Sequence, residues 1–314
     1  MSPRPFTLAT GTYDTLQPLV QGRIRPEGLA LTHLTVPCAA RHRRMLRDGA
    51  YDAAEFSMGS FLVARARGLD ALVGLPFFTR RMFPHRFLFV RAGDTLHRPE
   101  DLAGRRVGIL SWQNSLAIFA KAALTDGALS TIRWVTTAHE RLPIDLPAGA
   151  QVEHRPGCTL ETLLERGEVD AIATPDIPDA ALGPAPRLRP LFDDATPAEL
   201  AWLARTGTFP IMHLVVVRAD LVAQAPWVVT SLYDALLASQ RAYERGVAQQ
   251  PQRQLVVWPQ HADARERFGG EPFRQGLAQN RHDLKAMIAL AAAQGLVEPG
   301  LTPEDLFHPS LSAS

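Results

Sequence analysis

Lysine is almost missing from this chain. Lys121 and Lys285 are the only two among 314 residues, so Schiff-base chemistry would have to use one of them. Both fall in amphipathic helical patterns, where such a role is not expected. Cysteine is as scarce: Cys38 and Cys158 are far apart in the chain and read as lacking a nearby Cys or His in ligand spacing; reduced thiols are the simpler reading and a disulfide the alternative. No apolar run is long enough to span a bilayer. The start, Met1 to Leu8, has no apolar signal core before the first strand-like run, so a cytoplasmic protein is expected. Excess charge is also lacking. A net charge of +1 argues against nucleic acid or an anionic membrane as main partner, and any anion site must be local. No G-x-G-x-x-G follows a strand and no Walker-type loop occurs, which argues against a dinucleotide or nucleotide cofactor. H-x-x-x-H, C-x-x-C and G-x-S-x-G are absent too, so no zinc motif and no nucleophile elbow is expected.

What is present is an ordinary globular composition, 46% hydrophobic and 21% charged, in a chain long enough for two lobes. Strand-like and helix-like stretches alternate throughout, so the class is α/β. Strands are expected at Phe6–Thr10, Leu29–Val36, Ala71–Pro76, Phe87–Arg91, Val107–Leu110, Ile132–Thr136, Gln151–His154 and Val169–Ala173. Helices are expected near Leu16–Gly22, Arg41–Arg47, Phe61–Arg67, Ser115–Leu124, Thr159–Arg166, Pro226–Arg245, Trp258–Phe268 and Asn280–Gln294. The arginines of the Arg41–Arg47 helix read as a solvated face.

Four stretches carry candidate chemistry. In Thr206–Arg218 a Gly-containing turn leads through Pro210 to His213 and a β-branched run. This reads as a loop feeding a buried strand, with His213 at its mouth, where α/β folds place ligand-facing side chains. A hydrogen-bonded shoulder of the core is the alternative reading of the same histidine. In Asp52–Ser60, Glu55 has no evident core role, and Ser57 with Ser60 could offer donors to an anion at a helix N-terminus or merely cap the helix. In Thr79–Arg86, Arg80, Arg81, Arg86 and His85 share one loop between strands and could hold a carboxylate, or form a basic surface turn. Gln113 and Asn114 sit at a strand-to-helix junction, and Tyr13 lies in a hydroxyl-rich loop after the first strand; both positions suit a ligand crevice. A metal assembled from Glu55, His85 and His213 is a weaker alternative.

Three features together resemble the 4,5-dihydroxyphthalate decarboxylase family: Ala54-Glu55-Phe56-Ser57 with Ser60; Arg80 with Phe83 and His85; and Gly207 with Phe209-Pro210-Ile211-Met212-His213. Gly276-Leu277, Asn280 and Gln294-Gly295-Leu296 fit the same pattern. The resemblance covers nearly the whole chain. It implies a two-lobed α/β fold like that of the type II periplasmic solute-binding proteins, with a ligand cleft and two hinge crossings, near Arg91–Pro99 and Phe209–Arg218. The lobes would be 1–95 with 214–314, and 96–213. The first loop, Tyr13-Asp14-Thr15-Leu16, departs from the family in lacking an Arg soon after the Asp. Lys121 stands where Arg is common, and Thr137-Ala138-His139-Glu140 replaces a Gly-Gly turn.

The implied activity is a cofactor-independent decarboxylation of a hydroxylated, phthalate-like aromatic acid. In it His213 and His85 transfer protons and Glu55 orients a histidine or takes a phenolic proton. Arg80, Arg81, Ser57, Ser60, Tyr13, Gln113 and Asn114 would bind substrate. The partner implied is a small aromatic carboxylate, with a homo-oligomer one option for assembly. The alternatives are a non-enzymatic solute-binding protein and a related lyase resembling chorismate dehydratase.

Overall fold

The computed structural model describes residues 2–249, 267–268 and 271–314, so the helix expected at Trp258–Phe268 lies almost wholly outside the described residues. The strands and first helices follow in the order β1 (Arg4–Thr10), α1 (Gln17–Val20), β2 (Leu29–Thr35), α2 (Cys38–Asp48), β3 (Ala53–Ser57), α3 (Met58–Ala66), β4 (Leu72–Arg81), β5 (Leu88–Arg91), β6 (Arg106–Ile109), α4 (Ser115–Thr125), β7 (Arg133–Thr136), β8 (Gln151–His154), β9 (Ala171–Ala173), β10 (Leu188–Pro190) and β11 (Ile211–Arg218). Further helices occupy Leu160–Glu165, Thr196–Thr206, Ala219–Gln224, Trp227–Gln249 and Leu277–Ala293.

The strands form two mixed sheets, β2-β1-β3-β11-β4 and β10-β5-β9-β6-β7-β8. The fold is two-lobed α/β. In the first sheet β1 runs parallel to β2 and β3, while β11 is antiparallel to both β3 and β4. Strand β11 returns to the first sheet after the chain has built the second, and lies between β3 and β4 as the antiparallel strand of an otherwise crossover-connected sheet. Its residues Leu214 to Val217 are fully buried, as the β-branched run Val215-Val216-Val217 requires.

The first sheet buries two faces. On one, Ala53, Val215 and Val217 pack with Phe6 and Leu8 against Val228, Val229, Leu232 and Leu236 of the helix Trp227–Gln249. Each of these large apolar side chains contributes about 1.5–3 kcal/mol by leaving water. On the other, Ala54, Phe56, Leu214 and Val216 join a core that continues through α3 and α4 into the second sheet. Gly59 marks the closest approach there. A Cβ at this position would lie within 2.2 Å of the Gln113 carbonyl oxygen, so only glycine lets α3 pack against the loop before α4.

Three expectations change. Strand β4 runs ten residues, to Arg81, because Arg80 and Arg81 find partners in His213 and Ile211 of β11; the arginines expected in a loop lie on a strand. His213 lies within β11, not at its mouth. Strand β5 bonds to β9 and β10, so the chain changes sheets between Arg81 and Leu88, ahead of the Arg91–Pro99 crossing expected. The helix Thr196–Thr206 had no counterpart in the sequence reading; it closes on Gly207, whose φ of +63° suits a left-handed cap.

Candidate active site

Glu55 is fully buried in mid-β3 and its carboxylate is saturated with partners. Oε2 accepts from the Gly11 amide at 2.8 Å and faces the Arg41 guanidinium at 2.8 Å. Oε1 accepts from the Tyr13 hydroxyl at 2.5 Å and meets Nδ1 of His213 at 2.5 Å. Burial alone would raise the Glu55 pKa, but His213, Arg41 and Tyr13 outweigh it and hold the carboxyl well below the usual range. The Tyr13 phenol moves the other way: burial, then the Glu55 charge, keeps it protonated far above its ordinary value.

His213 reads the opposite sign of that pairing. Burial disfavours its imidazolium, yet bonds to Cys38 and Glu55 outweigh burial and raise its pKa. Nδ1 is committed to Glu55, and the ring lies against Cys38 and His42 of α2. The His42 ring stands 5.0 Å from that of His213 at an interplanar angle of 85°. Burial, reinforced by the charges of His213 and Arg141, lowers the His42 pKa well below normal. A carboxylate that holds one imidazole nitrogen and stabilises the charged ring is an arrangement that can deliver a proton from the other.

Cationic groups approach from both sheets. Arg80, on β4, donates to the Pro175 carbonyl at 2.6 Å and lies 3.8 Å from Asp176, so its guanidinium bridges to the segment after β9. Its charge also acts on Tyr13. Arg141, beyond β7, donates to the Ser60 hydroxyl at 3.2 Å. With Arg41 these make the surroundings of His213 favourable to an anion.

Tyr13, Glu55, Arg80 and His213 are therefore brought together, and Ser60 reaches their edge through Arg141. The remaining candidates serve the scaffold. Ser57 caps α3 and pairs with Ser115 at 3.0 Å, while Ser115 also accepts from the Gly59 amide, so protein groups already use the donors expected to meet an anion. Asn114 caps α4. Gln113 is buried and donates to the Leu142 carbonyl at 2.8 Å. Arg81 is fully buried in an ion pair with Asp283 at 2.8 Å and donates to the Phe209 carbonyl. His85 is not at the site: its ring packs 5.8 Å from Phe192 and 6.0 Å from Trp202, in a hydrophobic corner that pushes its pKa down to about 4. The metal trio Glu55, His85 and His213 consequently does not assemble.

No protein-family model matches the chain. It is 29% identical over 323 aligned residues to a 4,5-dihydroxyphthalate decarboxylase of Comamonas testosteroni, covering 99% of this chain and 98% of that one. The chain resembles the 4,5-dihydroxyphthalate decarboxylases over its full length. A protein of the same name from Pseudomonas putida is 27% identical over 63% of this chain and 80% of its own. Among solved structures, the periplasmic aliphatic sulphonate binding protein of Escherichia coli superposes with a TM-score of 0.58 at 14% identity, covering all of both chains. The alkanesulfonate-binding protein of Xanthomonas axonopodis pv. citri bound to MOPS gives 0.55 at 17% identity over 98% of this chain and 99% of that one. These likenesses establish the periplasmic-binding-protein fold.

Set beside that resemblance, the groups overlooked in the sequence are Cys38, Arg41, His42 and Arg141. The signal for three of them was legible. Cys38, Arg41, His42 and Met45 recur at i, i+3, i+4 and i+7, the spacing of one helix face, and Arg41, His42 and Met45 are buried. Reading the basic residues of this helix as uniformly solvated hid that face. Arg141 carried no local signal, because its approach to Ser60 spans 81 residues of chain.

Proposed function

We propose that the protein is a carboxy-lyase, a 4,5-dihydroxyphthalate decarboxylase or an enzyme of the same reaction class, acting in the cytoplasm on a hydroxylated aromatic carboxylate without an organic cofactor. The observation that carries this reading is the buried Glu55–His213 pair, 2.5 Å apart, in a chain similar over 99% of its length to a protein of that name.

Decarboxylation of an electron-rich ring requires protonation at the carbon that bears the departing carboxylate. The imidazolium of His213 supplies that proton from Nε2, with Glu55 stabilising the charged ring through Nδ1. A ring hydroxyl donates electron density as the proton arrives. The ring-to-carboxylate bond then breaks, carbon dioxide leaves, and the bonding pair restores the aromatic ring. Arg80 and Arg141 hold the substrate's carboxylates, and the Tyr13 hydroxyl, fixed by Glu55, orients the ring edge.

The binding-protein fold supports a second reading, capture of a small carboxylate without turnover. Incubating the purified protein with 4,5-dihydroxyphthalate and following carbon dioxide and 3,4-dihydroxybenzoate separates the two. Catalytic release of both supports the lyase; saturable binding with no product supports the solute-binding protein.

A further inference from the structure

Cys38, His42 and His213 each present one ligand-type atom, and these atoms all lie within 4.8 Å of one another. Two come from a single helical face: Cys38 and His42 are i and i+4 on α2, a spacing that sets side chains side by side. The third arrives from β11, with its orientation fixed by Glu55 on the opposite nitrogen. A carboxylate bonded to the far nitrogen of a ligating imidazole is the usual support of a histidine that binds a metal.

The His42 ring adds an independent observation. It is fully buried, yet among the described residues its ring nitrogens have a hydrogen-bonding contact only to the Cys38 sulfur, at 3.8 Å. A thiol at that distance is a weak partner for a buried imidazole. The His42 and His213 rings stand 5.0 Å apart between centroids, close enough for both to reach one tetrahedral ion with metal–nitrogen bonds of about 2.0–2.1 Å. Cys38 is exposed, which gives an ion a way in.

We propose that Cys38, His42 and His213 form a binding site for a soft divalent cation of the zinc class, with a fourth position open to solvent or a substrate oxygen. A trio of one thiolate and two imidazoles selects zinc or cobalt over magnesium or calcium, which need oxygen ligands. Binding displaces the Cys38 proton to solvent. The Cys38 thiolate, and the Glu55 carboxylate paired with Arg41 and His213, offset the positive charge that the ion adds beside Arg41 and Arg141. Because Nε2 of His213 is the ligand atom, metal binding and proton delivery by His213 exclude each other. Resting on the decarboxylase reading, the further consequence is that zinc inhibits turnover reversibly.

The test is titration of the full-length protein with cobalt(II), under reducing conditions without added thiols, followed by near-ultraviolet absorption. A thiolate-to-cobalt charge-transfer band that saturates at one equivalent, and that zinc abolishes, is expected. Cys38→Ser should remove the band, His42→Ala should weaken binding at least tenfold, and Glu55→Gln should weaken it roughly 10–100-fold as a supporting residue. Circular dichroism on each sample checks that the fold is retained. Absence of the band in the native protein, or its persistence in Cys38→Ser, overturns the site. These readouts use no substrate, so they stand or fall apart from the decarboxylase reading. Where the decarboxylase assay succeeds, zinc should suppress it and a chelator restore it; full activity at a zinc concentration shown to saturate the site overturns the exclusion.

Discussion

Glu55 and His213 are diagonal neighbours on one face of the first sheet. Glu55 stands opposite Val215, and His213 opposite Ser57, in the antiparallel β3–β11 pair. Directly opposed residues share a face, and residues two apart do so again, so the two side chains converge across the strand gap. The same alternation runs on through Val215, Val217 and Ala53, which belong to the apolar core under the helix Trp227–Gln249. One sheet face is therefore core at one end and a charged pair at the other. The rigid strands that bury the valines also hold Nδ1 and Oε1 at 2.5 Å.

That geometry predicts a division between chemistry and stability. His213→Gln should lower turnover by roughly 10²–10⁴-fold, the usual worth of a positioned acid, while affinity for substrate changes much less. Melting temperature, affinity and turnover measured on one sample decide the matter. A destabilised variant that turns over at the native rate per folded molecule would move His213 from the chemistry to the scaffold.

The pH dependence should follow the imidazolium. The folded pKa of His213 is raised, so its proton, and the stability it contributes, are present below the ordinary histidine range and lost as pH rises through the raised value. Turnover should fall along the same alkaline limb. Glu55→Gln removes a charge that favours the imidazolium and should shift that limb to lower pH. An alkaline limb that stays in place in Glu55→Gln assigns it to another group.

Much of this was legible in the sequence, and what was not has physical causes. The alternation of strand and helix patterns gave the α/β class, the resemblance to the decarboxylase family implied its two lobes, and the Phe209–His213 run with Glu55 pointed to the central pair. His85 was misplaced because its polarity invites a functional reading, whereas three-dimensional packing puts its ring against Phe192 and Trp202. Arg81 looked like a partner for a ligand because Asp283, which neutralises it, lies 202 residues away. His42 was hidden by the arginines flanking it, which mask the helical period of its face.

Arg80 offers a test of substrate binding. Arg80→Ala should weaken binding by about 2–5 kcal/mol, the cost of leaving one member of a desolvated charged pair alone. Arg80→Lys should recover only part, since an ammonium lacks the planar fork that holds a carboxylate and the Pro175 carbonyl together. Unchanged Michaelis constant and turnover in Arg80→Ala would remove it from the site.

His85 predicts an acid-sensitive fold independent of the chemistry. Its pKa is pushed down to about 4, by burial first and then by the Arg205 charge, against about 6.5 in an unfolded chain. The unfolded state therefore binds the proton more readily. The stability from a neutral His85 is fully present above about pH 6.5 and lost as pH falls toward the folded value. By about pH 5 the loss amounts to ~2 kcal/mol from this one group. Nδ1 of the ring is buried and makes no hydrogen bond among the described residues, so an apolar ring forfeits little there. His85→Phe should consequently flatten the decline in unfolding free energy between neutral and mildly acid pH, measured by denaturant titration at both, while leaving turnover near the native level. An equally steep decline in His85→Phe would show that other groups carry the acid sensitivity, and a loss of turnover on the scale expected for His213→Gln would return His85 to the active site.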